Sequence, residues 1–180
     1  MSEPPSPNTA PASTGAAVDA DQGHLPALGP HGEGWFLLQI VFMLAIAAAG
    51  FLYGANISGP PRFALGLAGA VLIVGGGALV FFGVRDLDRS VSPLPRPRDT
   101  AVLIQDGIYR RLRHPIYAGL ILVAIGWSLL TASLLAFALA LAFGLLLDLK
   151  ARREEVWLRE RYPGYSAYAA QTRRFVPGLY

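Results

Sequence analysis

Two short stretches hold most of the groups able to do chemistry. The first, Gly107 to Gly119, reads GIYRRLRHPIYAG and gathers Arg110, Arg111, Arg113, His114, Tyr109 and Tyr117 around one proline. The second opens at Lys150 as KARREEVWLRER and runs on through YPGYSAYAAQTRRFVP to Pro177. Pro115 suits the first turn of a helix, which puts His114 at a helix N-terminus, where amides and dipole favour negative charge. Arg113 and His114 can add donors there. Glu154 and Glu155 are adjacent carboxylates able to accept from ribose hydroxyls or an ammonium group. A ligand with an anionic end and hydroxyl or cationic groups would match the two stretches together.

They meet only if the run between them turns back. Ile116 to Leu149 is apolar apart from Trp127, Ser128, Thr131, Ser133 and Asp148. One helix of that length would measure about 51 Å, against about 30 Å for a bilayer core. A helical hairpin bending near Ser128 to Ser133 fits better and returns the chain to its starting side. Asp148, near the end of the run, is expected as an interfacial cap.

Two further spans precede the first stretch. Gly34 to Gly54 has one polar side chain, Gln39, and Phe63 to Val84 has no charge; each is long enough to cross. Asn56, Gly59, Pro60 and Pro61 break the chain between them. Gly66, Gly69, Gly75, Gly76 and Gly77 could allow close helix packing. Pro93, Pro95 and Pro97 exclude a regular helix in the first half of the connector, with Leu94 to Arg98 expected to run extended. Lys150 to Arg161 reads as an amphipathic helix with a Glu155 to Arg159 pair, ended by Pro163 and Gly164.

The 180 residues suffice for one domain with its own core. At 53% hydrophobic residues, 15% charged and a mean hydropathy of +0.43, the chain is too apolar for an ordinary soluble domain. The expected fold class is all-α: a polytopic membrane protein with about four transmembrane helices, the last two a hairpin, plus a cytoplasmic C-terminal amphipathic helix. Cysteine is absent, which excludes disulfides, thiolate metal sites and a cysteine nucleophile. No metal site is expected. Seven of the 15 Lys and Arg residues lie in 85–115 and seven at or beyond Lys150. The positive-inside rule then puts both termini on the cytoplasmic side of the cell (inner) membrane. Basic groups beside apolar segments suit membrane lipid rather than nucleic acid. Residues 1–33, rich in Pro, Ala, Ser and Gly, read as a disordered tail without a signal peptide, with His24 and His31 as bystanders. The domain division is 1–33 tail, 34–84 two helices, and 85–180 the chemical region.

Ser92 to Gly119, an apolar hairpin, and Arg153 to Pro177 in that order resemble the isoprenylcysteine carboxyl methyltransferase family of integral-membrane methyltransferases. The related phospholipid methyltransferases share the RHPxY and paired-glutamate signature. The resemblance implies S-adenosylmethionine as cofactor and methyl transfer at the cytoplasmic face to a small or lipophilic acceptor. It assigns Arg113, His114, Pro115, Tyr117, Gly119, Glu154, Glu155 and Tyr165 to cofactor binding, and Glu155, Arg174 and Tyr168 to catalysis. Two positions depart from the family pattern. Ile108 stands where proline is usual, and Gln171 where an arginine is expected. In eukaryotic members that arginine is linked to the prenylcysteine acceptor, so carboxylate recognition would need Arg173 or Arg174 to replace it, and a prenyl-protein substrate is not expected. Taken singly, each motif has a plainer reading: RRLRHP as a lipid anchor, the glutamates as a solvated helix face, the tyrosines as interfacial aromatics. The competing function is a non-catalytic membrane module that holds anionic lipid or a partner protein through Arg110, Arg111 and Arg113.

Overall fold

The computed structural model describes residues 26, 28–29, 32–56, 58–87 and 103–176. The expectations for the tail up to residue 25, for His24 and His31, for the extended Leu94 to Arg98 stretch and for Pro177 lie outside the described residues. Within them the chain forms α1 (Glu33–Leu52), α2 (Pro60–Leu87), a 3₁₀ turn (Gly107–Arg110), α3 (Pro115–Thr131), α4 (Leu134–Arg161) and α5 (Tyr165–Gln171). The protein is an all-helical polytopic membrane protein. The helices α1, α2 and α4 are long and apolar enough to cross a bilayer, and α3 is an apolar helix of 17 residues.

The second helix begins three residues earlier than expected, at Pro60. Prolines 60 and 61 fall in its first turn, where a missing N–H leaves nothing unpaired, so they open the helix instead of keeping it from starting. The hairpin turns where its polar residues allow. Ala132 takes a left-handed conformation (φ 52°), and Ser133 caps α4 by accepting from the Ala136 N–H at 3.2 Å. The Ser133 hydroxyl also donates to the Ala49 carbonyl at 3.1 Å, which ties the turn to α1. The charged segment from Lys150 is no separate helix. It forms the last turns of α4 and ends at Arg161, before Pro163.

Antiparallel α2 and α3 meet backbone to backbone. A methyl group added at Gly76 would lie 2.6 Å from the Gly119 carbonyl oxygen, and one at Gly69 would lie 2.6 Å from that of Gly126. Gly83 faces Ile116 and Pro115 in the same row. Glycines 69, 76 and 83 are the buried residues of α2, spaced at an interval that keeps one face toward α3. Of the other glycines singled out, Gly75 and Gly77 face open space and Gly66 meets the Arg62 side chain. On the other side, Ile46, Ala49, Ala124, Ala136, Ala140, Phe143 and Leu147 form a core among α1, α3 and α4. Among the described residues α1 and α2 both pack on α3.

The start of α3 lies level with Gly83 of α2 and with Glu155 of α4. Both neighbours continue past that level, to Leu87 and to Arg161. His114 is therefore recessed below the ends of two longer helices.

Candidate functional site

The segment before α3 is fixed by its neighbours on two sides. Asp86, at the end of α2, accepts from the Ile108 N–H at 2.9 Å, a bond that proline at 108 could not make. Gly107, at φ +59°, brings the turn against the Asp86 carboxylate. On the other side the chain after α5 runs alongside residues 111–114. The Arg113 N–H donates to the Arg173 carbonyl at 2.8 Å, the His114 N–H to that of Arg174 at 3.1 Å, and the Arg173 N–H to that of Arg111 at 3.1 Å. The amides of Arg113 and His114 are thus occupied by the chain itself and are not open to an anion, contrary to the simplest reading of a histidine at a helix start.

Beneath this seam sits Glu155, 1% exposed. Its Oε1 accepts from Arg113 Nε at 3.0 Å and Arg174 Nε at 3.1 Å, and lies 3.3 Å from His114 Nε2. Its Oε2 accepts from Arg174 Nη2 at 3.1 Å and Arg159 Nη2 at 3.4 Å. Arg113 also donates from Nη1 to the carbonyls of Ala169 (2.8 Å) and Thr172 (2.6 Å). Arg174 reaches Asp148 at 3.2 Å, so Asp148 belongs to this cluster as well as to an exposed pair with Arg152. A planar guanidinium with donors on several sides suits such a knot.

Glu154, one residue away, faces the other way. Its side chain is 24% exposed, and Oε2 accepts from the Tyr117 hydroxyl at 2.9 Å and lies 3.7 Å from His114 Nδ1. The Tyr117 and His114 rings stack, 5.3 Å apart and 4° from parallel. Glu154, His114, Tyr117, Arg113 and Tyr109 line a pocket of about 260 Å³, with Val84 and Leu87 of α2, Ile116, Gln39 of α1 and Lys150 completing it. An apolar cleft of about 510 Å³ lies further along the same helices, lined by Met43, Ile73, Leu120, Trp127 and Phe143 among others.

Of the sequence-assigned residues, Arg113, His114, Tyr117 and Glu154 converge on the pocket. Pro115 and Gly119 are buried where α3 meets α2, against Gly83 and Gly76. Glu155 and Arg174 are in the knot, away from the pocket lining. Tyr168 is buried, and its hydroxyl donates to the Tyr109 carbonyl at 2.8 Å, tying α5 to the 3₁₀ turn. The Tyr165 hydroxyl is buried without a partner among the described residues. Burial pushes the Tyr168 phenol up to about 12 and raises those of Tyr165 and Tyr109 further, so all three remain neutral donors. The sequence reading missed Tyr109, Gln39 and Lys150 as pocket residues. For Gln39 and Lys150 the available signal was a polar group inside an apolar span and a charge at the end of another.

The phospholipid methyltransferase family model matches residues 65–164, more than half of the chain, from within α2 to the residue before α5. Among curated proteins, the cobalt-zinc-cadmium resistance protein CzcN of Cupriavidus metallidurans is 36% identical over 83 residues, which cover 46% of this chain and 38% of that protein. The nickel-cobalt-cadmium resistance protein NccN of Alcaligenes xylosoxydans xylosoxydans is 35% identical over 83 residues, 46% of this chain and 39% of that one. The chain thus spans well under half the length of either relative. The matched region contains the α2–α3 contact, the hairpin, RHPxY and both glutamates, and the chain belongs to the phospholipid methyltransferase family of membrane methyltransferases.

Proposed function

We propose that the protein is an S-adenosylmethionine-dependent methyltransferase that acts on a small or lipophilic acceptor in the pocket at the head of α3. The observation that carries this reading is the pair of glutamates. Glu155 is sealed among cations, whereas Glu154 turns a carboxylate, held by Tyr117 and His114, toward a recessed pocket. A carboxylate buried in part and kept open on one side is a placement for recognising hydroxyls or a cation.

The residues fit such a cofactor. Glu154 can accept from ribose hydroxyls or the amino group, while His114 and Tyr117 offer polar atoms and a stacked aromatic face. Val84, Leu87 and Ile116 offer apolar wall. When bound, S-adenosylmethionine supplies a methyl group on a positively charged sulfur. The chain's own contribution is to orient the reactants and to exclude water at a recessed site, which together can supply much of the rate. The apolar cleft lies further along α1 and α3, so it suits the apolar part of an acceptor drawn from the bilayer. The clustering of Lys and Arg at the site end supports a cytoplasmic pocket and an inner-membrane location.

The lipid-anchor alternative divides on one residue. Arg110 and Arg111 are exposed and free to meet anionic headgroups, whereas Arg113 is committed to Glu155 and two carbonyls. Calorimetric titration of the purified full-length protein with S-adenosylhomocysteine tests the enzyme reading. Saturable binding is expected, and none by folded wild type sinks it.

A further inference from the structure

The 3₁₀ turn separates two cavities. Tyr109 lines the pocket at the head of α3, whereas Arg110 and Arg111, the next two residues, line a second recess of about 510 Å³ with Gly107 and Ile108. The two cavities share no lining residue among the described ones. Arg110 and Arg111 are exposed, and among the described residues neither makes an ion pair or a side-chain hydrogen bond. Arg173 is a third arginine of this kind. Its N–H donates to the Arg111 carbonyl at 3.1 Å, which sets the two residues side by side across the seam. Other arginines at this end have carboxylates: Arg85 pairs with Asp86 at 2.6 Å, and Arg113, Arg159 and Arg174 pair with Glu155. Like charges on adjoining strands repel, so the three unpaired arginines work against the seam that they flank.

The level of the recess decides what could neutralise them. The exposed apolar face of α2 runs to Val84. The Arg85 guanidinium, 59% exposed, lies 4.9 Å from the exposed Phe82 ring, the posture of a basic side chain at the border of the hydrocarbon. Asp86, the next residue, accepts from Ile108 in the recess wall. The recess therefore lies within a helical turn of that border, at the depth of lipid head groups. A guanidinium meets a phosphate with two parallel donors, and unpaired arginines favour a head group of net negative charge over one that carries its own cation.

We propose that this recess is a head-group site for anionic phospholipid of the surrounding leaflet, held by Arg110 and Arg111 with Arg173 beside them, and that its occupation steadies the turn whose other side is the pocket wall. The lipid bound here is no methyl acceptor, because the turn stands between it and the pocket. Its phosphate supplies the missing counter-charge to both segments of the seam. The backbone bonds from Arg113 to Arg173 and from Arg173 to Arg111 then open less often.

The test compares phosphatidylglycerol with phosphatidylcholine, which share a phosphate and differ in net charge. Full-length protein in neutral detergent is titrated with each, and bound lipid is read by native mass spectrometry. Phosphatidylglycerol should bind about fivefold more tightly or better. Arg111→Gln should weaken it about fivefold, the scale of one basic residue at an anionic surface, and leave phosphatidylcholine within about twofold. Arg62→Gln, at the far end of α2, should change neither. In nanodiscs, replacing phosphatidylcholine by phosphatidylglycerol should raise hydrogen-exchange protection of residues 108–113 in wild type and not in Arg111→Gln. Equal binding of the two lipids, equal losses in the Arg111 and Arg62 variants, or unchanged protection overturns the proposal. Glycerol 3-phosphate binding through Arg111 as tightly as the lipid also overturns it, since the ligand would then be a soluble phosphate. Should Arg111→Gln not fold, Arg173→Gln carries the same expectations from the other segment. Neither readout contains cofactor, so the outcome is separate from that with S-adenosylhomocysteine, whose failure would sink the methyltransferase reading itself.

Discussion

The end of α4 offers two regions built on neighbouring carboxylates. Toward α5 and the chain after it, Glu155 is 1% exposed and bonded to Arg113, Arg159 and Arg174, with no part in the pocket wall. Toward α1 and α2, Glu154 is 24% exposed, held by a tyrosine hydroxyl, and forms part of that wall. Successive helix residues point about 100° apart, so an adjacent pair is split between two environments by geometry alone. The difference teaches a division of labour. One carboxylate holds three chain segments together through cations, and the other is left with capacity for a ligand. Conserving charge at both positions would hide two separate requirements.

Breaking the first region should have the largest effect. Glu155→Gln leaves the part-buried guanidinium groups of Arg113 and Arg174 without the charge of the buried carboxylate they share, a loss of about 3–5 kcal/mol. Thermal unfolding in detergent should show a large drop in midpoint, with the segments around residues 111–114 and 172–174 losing protection from hydrogen exchange first. A midpoint equal to that of wild type would mean that the knot is not what closes the site.

Glu154→Gln sharpens the contrast, because glutamine still accepts from Tyr117 and only the charge is removed. Stability should change by less than about 1 kcal/mol, within the range of a single hydrogen bond. Affinity for S-adenosylhomocysteine should fall at least tenfold, equivalent to about 1.4 kcal/mol. If both glutamine variants lost stability alike, the two regions would be one.

Much of this organisation is legible in the chain. A largely apolar run of 34 residues cannot be one span, so the hairpin and the approach of His114 to Glu154 and Glu155 follow from length and from Ser128 to Ser133. The glycine row was partly legible: Gly69 and Gly76 were singled out, but Gly83 completes a regular spacing that a reading by local glycine density passes over. The opposite fates of Glu154 and Glu155 depend on how α4 is rotated, and no local pattern fixes that, because the helix ends among charges on all sides. The partnership of Gln39 with Lys150 is a tertiary contact across 111 positions, between a lone polar residue of one span and the first residue of a charged run. Ile108 is instructive in another way. It departs from the usual proline, and the structure gives its N–H a partner, Asp86, that proline could not satisfy.

Gln171→Arg probes the edge of the comparison and should have the smallest effect. Gln171 is the last residue of α5 and is exposed, while Tyr168 and Thr172 on either side of it in the helical repeat are buried. An arginine there would point to the surface, away from Glu155 and from the pocket wall. Stability should change by less than about 0.5 kcal/mol, as for surface substitutions generally. Affinity for S-adenosylhomocysteine should stay within twofold of wild type. A tenfold change in that affinity would mean that this position reaches the pocket after all. The pocket region would then extend across what the structure shows as the closed side.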